Sequence, residues 1–363
     1  MALYINGNFL NEPLTGVQQY ATAMVRQIDS LLCGPGFAGF HEAVLLVPEG
    51  TECPFPLRRL KLEIVRFGGG NLWEQTALPY RSRGSLLLNL CNRAPLLKCR
   101  QFLVIHDAAV GATPERFSHR FRLFWRTCYR IFGRTLPAFA TVSEFSRQEL
   151  QTYFGIPEEK INVIYPGVEH LPGKEADSEF LGRLGIKGKS YLLAFGGTTN
   201  KNLRIIIRAL PFLPSDLLLV VVGKCDEKTP PALRERIVQA GRVADEELIA
   251  LYKSAACLVF PSLYEGFGLP PIEAMSLGCP VVAARRAALP EVCRDAALYC
   301  EAEDEKDVAA KIALLLCDDN LAESLRKRGL TRAAEFSWEK AAALLSDAVQ
   351  KLARPTNHNV SKN

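Results

Sequence analysis

Short runs of β-branched and aliphatic residues alternate, along the whole chain, with longer stretches whose apolar positions recur every three or four residues. That alternation predicts strands separated by helices, and so parallel sheets built from βαβ units. Two series are visible. The first predicts strands at 2–5, 43–47, 62–65, 86–88, 102–105, 138–142 and 162–164; the second at 191–195, 217–222, 258–260, 280–282 and 298–299. Between them, 166–190 is rich in Gly, Lys and acidic residues and reads as a linker with a short helix. The expected organisation is two Rossmann-like α/β domains, 1–170 and 171–336, followed by 337–363. That last segment is a disordered tail after a closing helix, with Trp338, Ala342, Leu345 and Val349 at helical spacing, which packs back toward the first domain. Such folds bind ligands at the carboxyl ends of their strands, so the functional residues belong in the loops there and in a cleft between the halves.

Two helix boundaries carry their own chemistry. Asp245, before Glu246 and Glu247, is expected to cap a helix whose dipole the acids complement. Pro270 and Pro271 suit the start of a helix of about two turns, with Gly278 beyond its end.

Composition narrows the class. With 363 residues, 48% hydrophobic and 23% charged, the chain is too apolar to be disordered or collagen-like. Its eleven cysteines are odd in number, hold no CxxC pair and often sit in apolar runs, as Cys257 does, so they read as buried free thiols in a reducing compartment. No run reaches the roughly 18 apolar residues of a membrane span, and the N-terminus MALYINGNFLNEP does not look secretory. A cytoplasmic protein, or one lying on a cytoplasmic membrane face, is expected.

The most informative stretch is PSLYEGFGLPPIEAM, 261–275, which follows a predicted strand. Gly266 and Gly268 let the backbone approach a ligand, and the following helix offers amides and a positive dipole to a diphosphate. Glu265 and Glu273, the latter expected in the helix's first turn, flank that position, and a carboxylate is suited to accept hydrogen bonds from sugar hydroxyls. The plainer account makes Glu273 a dipole partner and Glu265 a solvated acid.

Glu265 and Glu273, with seven residues between them in this setting, resemble the EX7E signature of retaining glycosyltransferases of family 4, which adopt the GT-B fold. The likeness extends through TGVQQY at 15–20, VIHD at 104–107, VSEFSRQEL at 142–150, VIYPGV at 163–168, NKNL at 200–203 and GCPVVAARRAALPEV at 278–292. It implies that the second half binds a nucleotide-sugar donor and the first half the acceptor. By that resemblance Glu273 grips the nucleotide ribose, Glu265 faces the donor hexose, and Phe267, Gly268 and Leu269 offer backbone amides. Lys201 is similar to the family lysine that neutralises the diphosphate as the sugar bond breaks. Many relatives add an Arg several residues earlier, and Gly196-Gly197-Thr198-Thr199-Asn200 has none. Amides at Gly196 and Gly197 with the Thr198 and Thr199 hydroxyls, or Lys224, are the substitutes considered. Residues near Gly223, Arg242 and Val243 are expected to border the base.

In the first half, the resemblance makes Gly16 part of a loop closing over the reaction centre and His106 the histidine beside the transferred sugar. Asp107 orients His106 or contacts the acceptor. No DxD ends a suitable strand and no His/Cys cluster has metal spacing, so metal-independent transfer is expected, with no cofactor beyond the nucleotide sugar as substrate.

Net charge is +5, and the segment 114–136, with six arginines and one glutamate, accounts for all of it. Wound as one helix it gathers Arg116, Arg120, Arg122, Arg126, Arg130 and Arg134 on one face and Phe117, Phe121, Phe124, Trp125, Cys128 and Phe132 on the other. A basic amphipathic helix suits an anionic membrane surface or a lipid-linked acceptor; equally, its apolar face suits the domain core. The expected activity is a retaining hexosyltransferase acting on a lipid-linked or lipopolysaccharide acceptor in bacterial surface-glycan assembly. GDP-mannose is the first donor, with UDP-glucose, UDP-N-acetylglucosamine and GDP-rhamnose open. The other readings are a nucleotide-sugar 2-epimerase, disfavoured by the EX7E setting, and a nucleic-acid binder. The aromatics lie opposite the arginines, which suits packing better than stacking on bases, so no nucleic-acid partner is expected.

Overall fold

The computed structural model describes residues 1–13, 15–34, 36–68, 70–225, 227 and 229–353. Two compact units emerge: Met1–Gly167 with the described part of Trp338–Asn363, and Val168–Ser337. The first boundary falls three residues before the expected one.

The first unit holds β1 (Ala2–Asn6), β2 (Glu42–Pro48), β3 (Lys61–Val65), β4 (Leu86–Asn89), β5 (Gln101–Val104), β6 (Ala138–Thr141) and β7 (Ile161–Val163) in one sheet ordered β3-β2-β1-β4-β5-β6-β7. Every pairing is parallel. β1, β4 and β5 are buried throughout, which is why they read as unbroken apolar runs. The helix Gly16–Leu31 packs with the helix Trp338–Ala353: the rings of Tyr20 and Trp338 meet at 5.6 Å, and the Phe37 N–H donates to Ser346 Oγ at 2.9 Å. Asp29, on the first of these helices, accepts the backbone N–H groups of Arg58, Arg59 and Leu60 at 2.8, 2.8 and 2.7 Å. Burial pushes its carboxyl up, but those three donors outweigh it and hold the pKa below the usual range.

The arginine-rich segment is not one helix. Pro114–Arg116 is a separate turn, and Ser118, whose Oγ accepts from the Phe121 N–H at 3.3 Å, starts the helix His119–Thr135. Its second half is seated in the core through Cys128, Tyr129 and Phe132, and Lys160 Nζ caps its end by donating to the carbonyls of Gly133 and Leu136 at 3.0 and 3.1 Å. The first half leaves its apolar face open: Phe121 is 43%, Leu123 63% and Phe124 56% exposed.

The second unit holds β8 (Tyr191–Phe195), β9 (Leu218–Val222), β10 (Ile237–Gly241), β11 (Cys257–Phe260), β12 (Val281–Ala284) and β13 (Leu298–Cys300), ordered β10-β9-β8-β11-β12-β13, again parallel. β10 has no counterpart among the expected strands. It is a half-buried edge strand, so its sequence, IVQAG, lacks the apolar run that marks the others. Asp245 does not cap its helix. Ala244 holds the cap position of Asp245–Ser254, and Glu247 reaches back so that Oε2 accepts the Ala244 N–H at 2.9 Å. All eleven cysteines are free; Cys128, Cys257, Cys279, Cys293 and Cys300 are buried, while Cys33, Cys99 and Cys317 are exposed, against the expectation of uniformly buried thiols.

Candidate active site

In the second unit the strand order reverses between β8 and β11, so the loops leaving those two strands diverge and open a crevice at their carboxyl ends. The sequence puts Gly196, Gly197 and Thr198 after one strand and 261–268 after the other. Gly196 is bound to β9 through its N–H and the Val222 carbonyl at 2.8 Å, while Gly197, at φ +94°, turns the exposed chain toward Thr198 and Thr199.

Lys201 follows on a short turn with its ammonium 4.9 Å from the centroid of the Phe195 ring. Burial lowers its pKa, and the negative charges of Glu265 and Glu273 pull it back only in part. The lysine and both carboxylates of the EX7E pattern therefore share one electrostatic environment. Asparagines on either side of Lys201 fix its loop. The Asn200 carbonyl accepts from the Leu263 N–H at 2.8 Å, and its Nδ2 donates to the Tyr264 carbonyl at 3.0 Å. Asn202, at φ +54°, donates to the carbonyls of Ala302 and Pro261 at 2.6 and 3.3 Å. Ser262, fully buried, has its Oγ 2.8 Å from Glu265 Oε1 and 2.9 Å from the Asn200 carbonyl, so one hydroxyl proton serves both acceptors.

Gly268 at φ +95° caps the helix Leu269–Ser276. Pro270 and Pro271 fix the φ of its first turn but bring no N–H, so the amide donors at this helix start are those of Gly268, Leu269 and then Ile272. The dipole is intact and the donor count is smaller than the motif alone suggests. The Phe267 side chain is buried edge-on against Phe336, at 5.3 Å between ring centroids. Glu273 is the fifth helical residue, so it lies in the second turn rather than the first. It is 4% exposed; Oε1 is 3.1 Å from His170 Nε2, and Oε2 is 3.1 Å from the Tyr252 hydroxyl. Neither partner was legible as a site residue. Lys224 meets the glycine loop through its backbone carbonyl while its side chain is exposed, and Val243 lies half-buried just beyond β10. Among the described residues, neither makes a hydrogen bond to Lys201, Glu265 or Glu273.

In the first unit the reversal falls between β1 and β4. His106 lies just past β5, 7% exposed, with Nε2 2.9 Å from the Leu90 carbonyl and its ring edge-on to Tyr20 at 4.7 Å. A carbonyl only accepts, so Nε2 carries the proton, and burial holds the pKa below the usual histidine value. The neutral ring has only the Nδ1 lone pair left to offer. Asp107 accepts the Ala109 N–H at 2.9 Å and forms a local turn. Gly16 is the first helical residue after Thr15, exposed, at the start of Gly16–Leu31.

A polar group that no motif signalled lies at this reversal. Asn6, the last residue of β1, donates to Glu74 Oε1 at 3.2 Å and to Asn89 Oδ1, at the end of β4, at 3.1 Å. Arg93 reaches both Glu74, at 3.7 Å, and Glu12, and Glu12 Oε2 accepts from Gln18 Nε2 at 2.7 Å. Burial pushes the Glu74 carboxyl above its usual pKa, with Asn6 and Asn8 opposing.

Residues 189–318 match the model of Glycosyl transferases group 1, and residues 76–170 that of Glycosyltransferase Family 4. The chain is 32% identical over 257 residues to O-antigen chain mannosyltransferase B of Escherichia coli, covering 66% of this chain and 67% of that protein. It belongs to glycosyltransferase family 4. The enzyme is also 26% identical over 323 residues to the O-antigen chain mannosyltransferase RfbU of Salmonella typhimurium, covering 84% and 88%. With the serotype-specific mannosyltransferase WbdA of Escherichia coli it shares 29% identity over 270 residues, spanning a third of that longer protein. Its fold is GT-B. HepE of Anabaena, solved with UDP and glucose, superposes at a TM-score of 0.73 with 17% identity over 97% of this chain and all of that one. WaaG, a glycosyltransferase involved in lipopolysaccharide biosynthesis, does so at 0.70 with 16% identity, covering 96% and 99%. Among the described residues no helix is long and apolar enough to cross a membrane.

Proposed function

We propose that this glycosyltransferase transfers a hexose from a nucleotide sugar, with retention at the anomeric carbon and without metal or cofactor, to a lipid-linked or lipopolysaccharide glycan during surface-polysaccharide assembly. The observation that carries the reading is that the Lys201 and Glu265 loops are tied together at the carboxyl ends of β8 and β11, Ser262 Oγ standing 2.9 Å from the Asn200 carbonyl and 2.8 Å from Glu265 Oε1, with Glu273 buried on the helix that follows. As the bond to the sugar breaks, negative charge grows on the leaving diphosphate, and a buried cation and helix amides, already fixed, stabilise it. Lys201 supplies the cation; Gly197, Gly268 and Leu269 supply amides, with the Thr198 hydroxyl beside them. Glu273 accepts the ribose hydroxyls and Glu265 faces the hexose. No second carboxylate is assigned as nucleophile, so the acceptor hydroxyl attacks from the face the diphosphate leaves, and a phosphate oxygen takes its proton. The neutral His106, in the first unit, keeps an Nδ1 lone pair able to accept from a sugar hydroxyl. The group Asn8, Glu74 and Arg93 is suited to the acceptor glycan.

A mannosyl donor carried by GDP is the first candidate, since relatives named mannosyltransferases cover much of the chain. The helix His119–Thr135 supports a place on the cytoplasmic face of the inner membrane: exposed Phe121, Leu123 and Phe124 adjoin exposed Arg120, Arg130 and Arg134, with Arg122 and Arg126 half-buried beside them. The experiment is a panel of GDP- and UDP-sugars scored first by thermal shift and then by transfer to lipid-linked oligosaccharide. Stabilisation by GDP-mannose and α-linked product support the reading; no stabilisation by any nucleotide sugar overturns it.

A further inference from the structure

Glu273 is held from two sides. His170 Nε2 stands 3.1 Å from one carboxylate oxygen and the Tyr252 hydroxyl 3.1 Å from the other, and the carboxylate is almost wholly buried. Both partners come from one local construction. The segment from His170 onward is strapped along the helix Asp245–Ser254, which carries Tyr252: Lys174 Nζ pairs with Asp245 at 2.6 Å, the Asp177 N–H donates to the Glu246 carbonyl at 3.0 Å, and Arg183 pairs with Glu247 at 3.0 Å.

The two contacts are unequal. Tyr252 is fully buried, and burial together with the negative Glu273 pushes its hydroxyl pKa well up, so it stays protonated. Its hydroxyl oxygen is also 3.2 Å from the Pro270 carbonyl, which divides its single proton between two acceptors. A carboxylate only accepts, so the His170 contact requires a proton on Nε2, and that N–H donates to Oε1. Tyr252 holds Oε2 and His170 holds Oε1, so the carboxylate plane is fixed only while the His170 donor is in place. A carboxylate has about four lone-pair directions; with one on each oxygen occupied, one on each is left, a spacing that fits the two hydroxyls of a vicinal diol.

We propose that His170 is a positioning residue that sets Glu273 to read the ribose diol of the donor nucleotide, and so governs discrimination between ribose and deoxyribose. This rests on the assignment of Glu273 to the ribose. The histidine does not touch the substrate; it acts by denying the carboxylate the rotation that would let it accept one hydroxyl well and the other poorly.

The test measures binding of GDP, UDP and their 2′-deoxy forms to the full-length wild type, His170→Ala, His170→Gln and Glu273→Ala. Whichever base binds the wild type is then followed. His170→Ala is expected to weaken the ribonucleotide about tenfold while leaving the deoxynucleotide within about twofold, which narrows the ratio. His170→Gln, which keeps an N–H donor, is expected to recover part of the ratio. A ratio unchanged in His170→Ala while Glu273→Ala abolishes it overturns the role of His170. An unchanged ratio in Glu273→Ala overturns instead the assignment of Glu273 to the ribose. Equal weakening of both nucleotides by His170→Ala, with a lowered Tm, makes His170 a structural residue and also overturns the proposal.

Discussion

Gly196 lies so close to the Lys224 carbonyl that a Cβ at position 196 would stand 1.9 Å from that oxygen. The obstacle is backbone, which has no rotamer to give. Gly196→Ala must therefore displace either the turn after β8 or the turn after β9, and overpacking of this kind costs about 2 kcal/mol. The expected outcome is a folded protein with a lower Tm and nucleotide-sugar affinity reduced at least tenfold, read by calorimetry and by titration. Unchanged donor binding would remove the glycine loop from the site.

Lys201 loses its proton at lower pH than an ordinary lysine because burial outweighs its two acidic neighbours. Its positive charge is the form proposed to stabilise the leaving group, so kcat/KM should fall on the alkaline side below the ordinary lysine range. Lys201→Arg, which stays charged, should move that limb upward while lowering the maximum. Lys201→Met should cost about 100-fold or more at every pH. A pH profile of Lys201→Arg superimposing on wild type would show that another group sets the limb.

Glu265→Gln retains an oxygen able to accept from Ser262 and removes only the charge. Turnover should drop about 100-fold or more, with a Tm close to wild type. Undiminished turnover would end the role given to Glu265 at the hexose.

Glu74 has a folded-state pKa raised by burial. The native state then binds more protons than the unfolded state between the ordinary carboxylate value and the raised one, so stability falls as pH rises through that interval. Glu74→Gln lacks this titration. Its stability relative to wild type should improve as pH rises from about 4 to 7, measured by urea unfolding. A difference that does not change with pH would mean the carboxylate is ionised without penalty.

Arg120, Arg130 and Arg134 are exposed on the helix that also exposes Phe121 and Phe124. Reversing all three to Glu should abolish co-sedimentation with vesicles rich in phosphatidylglycerol, each arginine contributing about 1 kcal/mol near such a surface. Phe121→Ser with Phe124→Ser should weaken binding and leave its salt dependence in place. Transfer to a water-soluble acceptor analogue should stay at the wild-type level in both.

Much of the architecture was legible because parallel strands buried on both faces, such as β4 and β9, advertise themselves as apolar runs. β10 did not, since an edge strand with Gln239 exposed has no such run. The arginine segment misled at its start because its 100° spacing continues through 116–118, whereas Ser118 capping sets the true first turn. Glu265, Glu273 and Lys201 were marked by motif, but the groups that hold them were not. His170 lies 103 residues from Glu273 in sequence, and nothing local to either announces the contact. The same holds for Arg93, which reaches back to Glu12 and Glu74 only once β1 and β4 are neighbours.

Because the helix Trp338–Ala353 belongs with Met1–Gly167, the second unit interrupts the first in sequence. During synthesis from the N-terminus, Val168–Ser337 has all its own strands before the first unit receives Leu345 and Val349, both fully buried there, and the Ser346 hydroxyl that takes the Phe37 N–H. The unit that begins first on the ribosome is completed last. Until then its Tyr20 face stays uncovered, and a chaperone that recognises exposed apolar surface would find it on the nascent chain.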